Sequence, residues 1–466
     1  MAKYKAYPEY KDSGVEWLKA IPEHWKLSKL RYQFVFGKGL TITKEHLQDE
    51  GIPCVNYGDV HSKYGFEVDP EMHTLKCVSD KYLKDNANSL LAKGDIVFAD
   101  TSEDIDGSGN FTQLVSDTVT FAGYHTIIAR PIERENSRFY AYLLDCKELR
   151  SQVRHAVKGV KVFSITQAIL RNLSIWLPSK DEQAQIASFL DHETAKIDNL
   201  IEKQQQLIEL LKEKRQAVIS HAVTKGLNPD VLMKDSGVEW LGEVPEHWDV
   251  KKFKFACVGI IAGPFGSSIT KDMYVNDGYK VYGQEQVIPN DFNVGDYFIS
   301  PEDFNRLSRY EVNAGDILIS CVGTFGKIAV FPHWAKAGII NPRLIKATLS
   351  CRMNPFFVRE FLKSTTVSKQ FELLSRGGTM GVINIAILNE IMVSIPPLEE
   401  QDSIYEFIYS QKKKFIDLID LANSQINLLQ ERRTALISAA VTGKIDVRDW
   451  VAPDTQDVEE PQEATA

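Results

Sequence analysis

The chain has no cysteine pair spaced as CxxC and no Cys/His run of the kind that holds zinc. Cys54, Cys77, Cys146, Cys257, Cys321 and Cys351 are therefore expected to be free thiols in a reducing cytosol. No apolar run approaches the roughly 20 residues of a membrane span. The opening MAKYKAYPEYKDSG lacks an apolar core, so no secretory leader is expected. These absences suit a cytoplasmic protein.

Catalytic signatures are missing too. There is no GxxxxGK[ST] for a nucleotide, no GxSxG and no HExxH. The GSG at 107–109 follows the polar stretch DTSEDID, so a cofactor cradle is not expected there. NPFF at 354–357 lacks the second proline of the amino-methyltransferase signature. It reads instead as a helix start, with Asn354 as cap and Pro355 in the first helical position. His24 and His247 sit in Pro-Glu-His-Trp with no catalytic partner, and read as packed or capping histidines. Catalysis by this chain is not expected.

Positive charge is also short, with a net charge of −9. Part of this lies in 449–466, which holds six carboxylates and no basic residue and reads as an acidic disordered tail.

What is present is a repeat. KDSGVEWLKAIPEHW at 11–25 returns as KDSGVEWLGEVPEHW at 234–248, identical at 12 of 15 positions. IELLKEKRQAVISHAVT at 208–224 returns as INLLQERRTALISAAVT at 426–442, identical at 11 of 17. A unit of about 220 residues is written twice, with the material between the shared phrases diverged. Trp17, Trp25, Trp240 and Trp248 in the repeated phrase read as anchors against a helical frame.

Residues 28–176 and 251–394 alternate short β-rich runs with Gly/Asp/Asn turns, and GDIVF at 94–98 corresponds to GDILI at 315–319. Helical pattern enters near 137–157 and 355–374. Residues 181–224 and 399–442 differ sharply. Each follows proline, opens on DEQ or EEQ in keeping with the helix dipole, and ends near a glycine. In the first, Ile186, Leu190, Glu193, Ile197, Leu200, Gln204, Leu207, Leu211, Lys214 and Val218 step 4-3-4-3. In the second, the places are Ile404, Ile408, Gln411, Phe415, Leu418, Ala422, Gln425, Leu429, Arg432 and Leu436. Two seams of coiled-coil period predict antiparallel packing of two long helices, with the apolar members making the contact.

The expected architecture is mixed α/β. It comprises a globular domain at 1–176, a helix at 177–228, a second domain at 229–394, a second helix at 395–448 and the tail at 449–466, related by pseudo-two-fold internal repeat. Residues 134–171 carry a net charge of +5 and residues 320–380 a net charge of +7. Basic side chains beside small flexible residues, as in KGVKVFS and RGGTMGVIN, suit phosphate contacts, and Asn, Ser, Arg and Lys can read base edges. The candidates for DNA contact are Lys38, Lys158, Lys161, Ser267, Lys271, Lys327, Asn341, Arg343 and Arg376.

With these residues in view, the chain resembles the specificity subunit of type I restriction-modification enzymes. The resemblance rests on KDSGVEWL…PEHW heading each half, LPSKDEQAQI and IPPLEEQDSI before each long helix, and the two helix endings. It covers nearly the whole chain. It implies two target-recognition domains, each reading half of a split DNA site, and helices that set the half-site spacing. It also implies a subunit without chemistry of its own. The partners would be two methyltransferase subunits using S-adenosylmethionine and usually two restriction subunits using ATP and Mg. A coiled-coil scaffold that binds proteins and not DNA is the alternative.

Overall fold

The structure is a computed structural model that describes residues 4–157, 159, 162–265, 268–321, 327–374 and 383–452. The chain divides into two compact units, Met1–Gln204 with Ser424–Ala466, and Gln205–Asn423. Both cuts fall inside the two long helices, Lys180–Lys225 and Leu398–Val441, so each unit holds one globular domain and part of each helix.

The first unit opens with the hairpin Tyr10–Val15 and Leu18–Pro22. Strand Lys26–Lys29 pairs with Ser174–Leu177, which leads into the first long helix. A five-stranded sheet runs in the order Phe34–Lys38, Thr126–Pro131, Ile96–Ala99, Phe111–Leu114, Phe66–Val68. A four-stranded sheet runs Cys77–Val78, Ile52–Val55, Thr120–Ala122, Leu90–Leu91. The run Ile96-Val97-Phe98-Ala99 is apolar throughout because its strand is central and covered on both faces. Helices Ser137–Asp145, Lys147–Ala156 and Gln167–Asn172 pack with the sheets, and Thr101–Ser102 pairs with Phe163–Ser164.

The second unit repeats the series. Met233–Asp235 pairs with Glu243–Pro245, and Asp249–Lys252 with Met392–Ile395. One sheet runs Cys257–Ala262, Leu344–Leu349, Ile317–Ser320, Ile328–Val330. The other runs Tyr274–Val275, Phe298–Ile299, Tyr279–Tyr282, Gly338–Ile340. Helices Pro355–Leu362 and Thr365–Leu374 follow, the former capped by Asn354 Oδ1, which accepts from Phe356 N and Phe357 N at 2.7 and 3.1 Å. Strand Phe66–Val68 of the first unit has no partner-strand counterpart among the described residues of the second.

The repeated phrase performs one task twice. In the first unit Glu182, in the opening turn of the first long helix, accepts from Tyr7 OH (2.6 Å) and Trp25 Nε1 (3.1 Å) and contacts His24 Nε2 (3.0 Å). In the second, Glu400 accepts from Trp248 Nε1 (3.0 Å) and contacts His247 Nε2 (2.8 Å). The following glutamines reach back to the preceding turn, Gln183 Nε2 to Pro178 O and Gln401 Nε2 to Pro396 O. Each tryptophan also meets a helix end. A Cβ on Gly226 would lie 3.2 Å from the Trp248 ring, and one on Gly443 would lie 3.3 Å from Trp25. Both glycines have positive φ, the left-handed stop that ends a helix at low cost. Each phrase therefore clamps the start of one long helix to the end of the other within its own unit. His24 and His247 are exposed and bond the glutamate from outside, so they are not packed in the core as expected. The four tryptophans are not equal: Trp25 and Trp248 are fully buried, whereas Trp17, at the hairpin turn, is 37% exposed.

The helices run antiparallel. In the first unit Arg433 holds Asp198 at 2.9 Å, and Ile437 and Val441 share a core with Ile186 and Leu190, so numbers rise on one helix as they fall on the other. In the second unit Ile219, Ala222 and Val223 share a core with Ile404 and Ile408. The buried stripe differs from the expected seam. Ile186, Ile197, Ile404 and Phe415 are buried, and Leu211, Val218, Leu429 and Leu436 half-buried, but Leu200, Leu207 and Leu418 are 47%, 42% and 48% exposed. On the first helix Ile186, Ile197, Ile208 and Ile219 are all buried, an 11-residue step. An α-helix drifts about 20° per heptad from a strict seven-residue repeat, and an 11-residue step follows a straighter helix more closely. The expected tail begins later than 449, because Trp450 packs edge-on against Phe189 at 5.5 Å. Residues 453–466 lie outside the described residues.

Candidate nucleic-acid interface

In both units the strands are aligned so that the same connections meet at one end of the sheets. In the second unit this end gathers Ala262–Gly263, Tyr282–Gln284, Ser320–Cys321, Lys327 and Asn341–Arg343. Gly263 N donates to Leu344 O, Asn341 N to Tyr282 O, and Ser320 N to Lys327 O, at 2.8 to 3.0 Å. The first unit gathers Lys38–Leu40, Val55–Tyr57, Asp100–Ser102, Asn110 and Gly123–His125 in the same way. Leu40 N donates to Ala122 O, Gly123 N to Val55 O, and Ala99 N to Asn110 O. The close approach of loops explains two glycines: a Cβ on Gly39 or Gly263 would lie 1.9 Å from the carbonyl oxygen of Gly123 or Asn341. The opposite sheet end carries the Gly94 turn, which packs on Ser137 at the head of a domain helix.

Among the candidate residues, the structure brings together Lys327, Asn341 and Arg343. Lys38 ends its strand at the matching place in the first unit and is exposed. Lys271 sits in the turn Lys271–Met273, ahead of the strand Tyr274–Val275. Asn341 is a positioning group, since its Oδ1 accepts from Arg343 N at 2.9 Å. Lys158, Lys161, Ser267 and Arg376 lie outside the described residues.

The charge counts overstate the free positive surface. Arg134 pairs with Asp95, Arg138 with Glu67 and Asp191, Arg150 with Asp145, and Arg154 with Asp106. In the second unit Lys336 pairs with Asp277, Lys346 with Asp316, and Arg359 with Glu360. Glu360 is buried, which pushes its carboxyl up, but Lys412 and Arg359 outweigh that and hold it below the usual range. Burial and then the Arg359 cation push Lys363 down to about 8, against the pull of Glu360. Arg343 and Lys327 are exposed and make no ion pair among the described residues.

The end of the first unit is chemically unlike that of the second. Asp100 Oδ1 contacts His125 Nδ1 at 3.2 Å, and Glu103, Asp104 and Asp106 are exposed beside it. His125 adopts φ +54, a conformation uncommon for a residue with a side chain. Burial first, then Glu103, Asp104 and Asp100, raise the Tyr57 hydroxyl above its ordinary value. Sequence reading passed over Asp100, His125 and Tyr57. The one available signal was the polar DTSEDID run following a buried strand.

Residues 22–210 and 265–431, more than half of the chain, match the family described as Type I restriction modification DNA specificity domain. The chain belongs to this family. Its relatives include a Methanocaldococcus jannaschii protein provisionally named the MjaX type I restriction enzyme specificity subunit. It is 26% identical over 440 residues, covering 92% of this chain and 95% of the relative. The EcoKI specificity subunit of Escherichia coli is 21% identical over 455 residues, covering 93% and 91%. A chain from a structural study of complex assembly in a type I R-M system matches with TM-score 0.66 at 17% identity, covering 91% of this chain and 99% of that one. The resemblance drawn from the repeated phrases is borne out. The mixed α/β specificity-subunit fold extends across both halves. Among the described residues, no helix is long and apolar enough to cross a membrane.

Proposed function

We propose that this specificity subunit reads a split DNA site, one part per domain, while its long helices set the spacing and dock partner subunits. The observation that carries this is the sheet end built twice on one backbone pattern with unlike side chains. A shared frame with different side chains suits two different targets presented in one geometry. The subunit itself supplies position and no chemistry. The methyltransferase subunits, two per complex, would bring S-adenosylmethionine, and the restriction subunits ATP and Mg.

The test is exchange of residues 28–176 for the equivalent segment of a relative, followed by mapping of methylated sites in the assembled enzyme. One half-site should change and the other persist. A change in both halves would mean that the domains read DNA jointly. A scaffold without DNA contact would show no salt-dependent duplex binding at all.

The middle of the helices supports docking. In the second unit Leu207 and Leu210 are 42% and 61% exposed, and Leu418 and Leu421 are 48% and 56% exposed. Each is an i, i+3 pair on one helix face, and apolar patches of this kind mark partner surfaces. Leu210→Asp with Leu421→Asp should leave the chain's own stability within about 0.5 kcal/mol at each exposed site. Copurification with the methyltransferase subunit should be lost. Intact assembly with this variant would place the docking surface elsewhere.

A further inference from the structure

One backbone junction is common to both domains. In the second, Cys321 N donates to the Arg343 carbonyl at 2.8 Å, and the Cys321 carbonyl accepts from Ile383 N at 3.0 Å. In the first, Asp100 N donates to the His125 carbonyl at 3.1 Å, and the Asp100 carbonyl accepts from Ile165 N at 2.8 Å. Cys321 thus corresponds to Asp100, and Arg343 to His125. The exchanged pairs have opposite chemistry. The second junction presents a guanidinium with five donors and no acceptor. The first presents a carboxylate, which only accepts, holding an imidazole.

The second junction is rigid where rigidity matters. Arg343 is tied through its N–H to the Asn341 side chain and through its carbonyl to Cys321, and Asn341 is tied to Tyr282. The Cα is therefore fixed while the side chain is exposed and unpaired among the described residues. That combination suits base reading, which needs a fixed point of departure. A phosphate contact tolerates a mobile one. The neighbouring arginine and lysine side chains tied up with carboxylates cannot serve in the same way.

The carboxylate is the more selective clue. DNA phosphates offer only acceptors. A carboxylate that bonds directly to DNA must find a donor, and in the major groove these are cytosine N4 and adenine N6. Asp100 is part-exposed, with a side-chain exposure of 32%, and His125 occupies only its Oδ1.

We propose that the two domains read opposite hydrogen-bond faces: Arg343 donates to O6 and N7 of a guanine in one half-site, and Asp100 accepts from the exocyclic amine of a cytosine or adenine in the other. This rests on the DNA-reading function proposed above. Arginine's planar fork matches the two guanine acceptors at once, which a lysine cannot do.

The experiment selects preferred sites from a randomised duplex library with the full chain in its assembled complex, alongside Arg343→Ala, Arg343→Lys and Asp100→Ala. Arg343→Ala should lose preference for one guanine by about ten- to a hundredfold, leaving the other half-site unchanged. Arg343→Lys should keep the overall affinity and lose most of that preference, which separates lost recognition from a failed fold. Asp100→Ala should relax one cytosine or adenine position, in the half-site that Arg343 does not touch. A uniform loss across sequences with a shallower salt slope would make Arg343 a phosphate contact and overturn the proposal. So would relaxed positions falling in the same half-site, or unchanged preferences in all three variants. If the unaltered complex selects no sequence, the DNA-reading function itself fails, a separate and recognisable result.

Discussion

Replacing Trp248 by alanine should release the end of the first long helix and the start of the second within the second unit. Trp248 is fully buried, donates to Glu400 at 3.0 Å and packs on Gly226. Removing a buried tryptophan costs about 3–5 kcal/mol, and the loss leaves His247 as the contact at Glu400. Hydrogen exchange localises the effect. Amides at 219–226 and 401–408 should exchange faster by on the order of a hundredfold or more. Trp17→Ala makes the contrast, because Trp17 belongs to the same repeated phrase but is partly exposed. It should change stability by about 1 kcal/mol or less. Equal effects from the two substitutions would mean that the clamp is not where the phrase's energy lies.

That contrast also shows what the sequence could and could not reveal. The two tryptophans of each phrase look alike in the linear pattern. Only the hairpin places Trp17 at a turn and Trp25 under the helix start. The patterned stretches 181–224 and 399–442 lie within one residue of the long helices Lys180–Lys225 and Leu398–Val441, whereas the wider segments 177–228 and 395–448 assigned to helix overrun them at both ends. Their boundaries are set locally, by acidic first turns and a left-handed glycine. The seam between them was legible in part: Ile186, Ile197, Ile404, Phe415 and Ala422 are buried as expected, while Leu200, Leu207 and Leu418 are not. Leu200 and Leu207 fit a heptad but face solvent, because a straight helix turns past them.

Charge was the least legible property of the site. Arg138 finds Asp191, and Lys336 finds Asp277, across dozens of residues of intervening chain. Composition counts such cations as free, and only the tertiary structure neutralises them. Asp100 and His125 escaped notice for the same reason. Their pairing, 25 residues apart, exists only once two strands bring their ends together.

The ruler role of the helices yields the second large effect. Each unit carries its domain clamped to both helices, so extra helical residues should act on the spacing and leave the half-site sequences alone. Four residues inserted at Gln204 add about 6 Å and make slightly more than one turn, so the helix face is nearly kept. A matching insertion at Ala422, a buried position of the partner helix, keeps the stripes in step. At about 3.4 Å per base pair, the nonspecific spacer should grow by at most about two base pairs.

The decisive measurement is the map of genomic positions methylated by the complex carrying both insertions. The account predicts the same two half-site sequences separated by a longer spacer. The same sites at the original spacing, from a complex shown to contain the lengthened helices, would contradict it and place control of the spacing outside this chain.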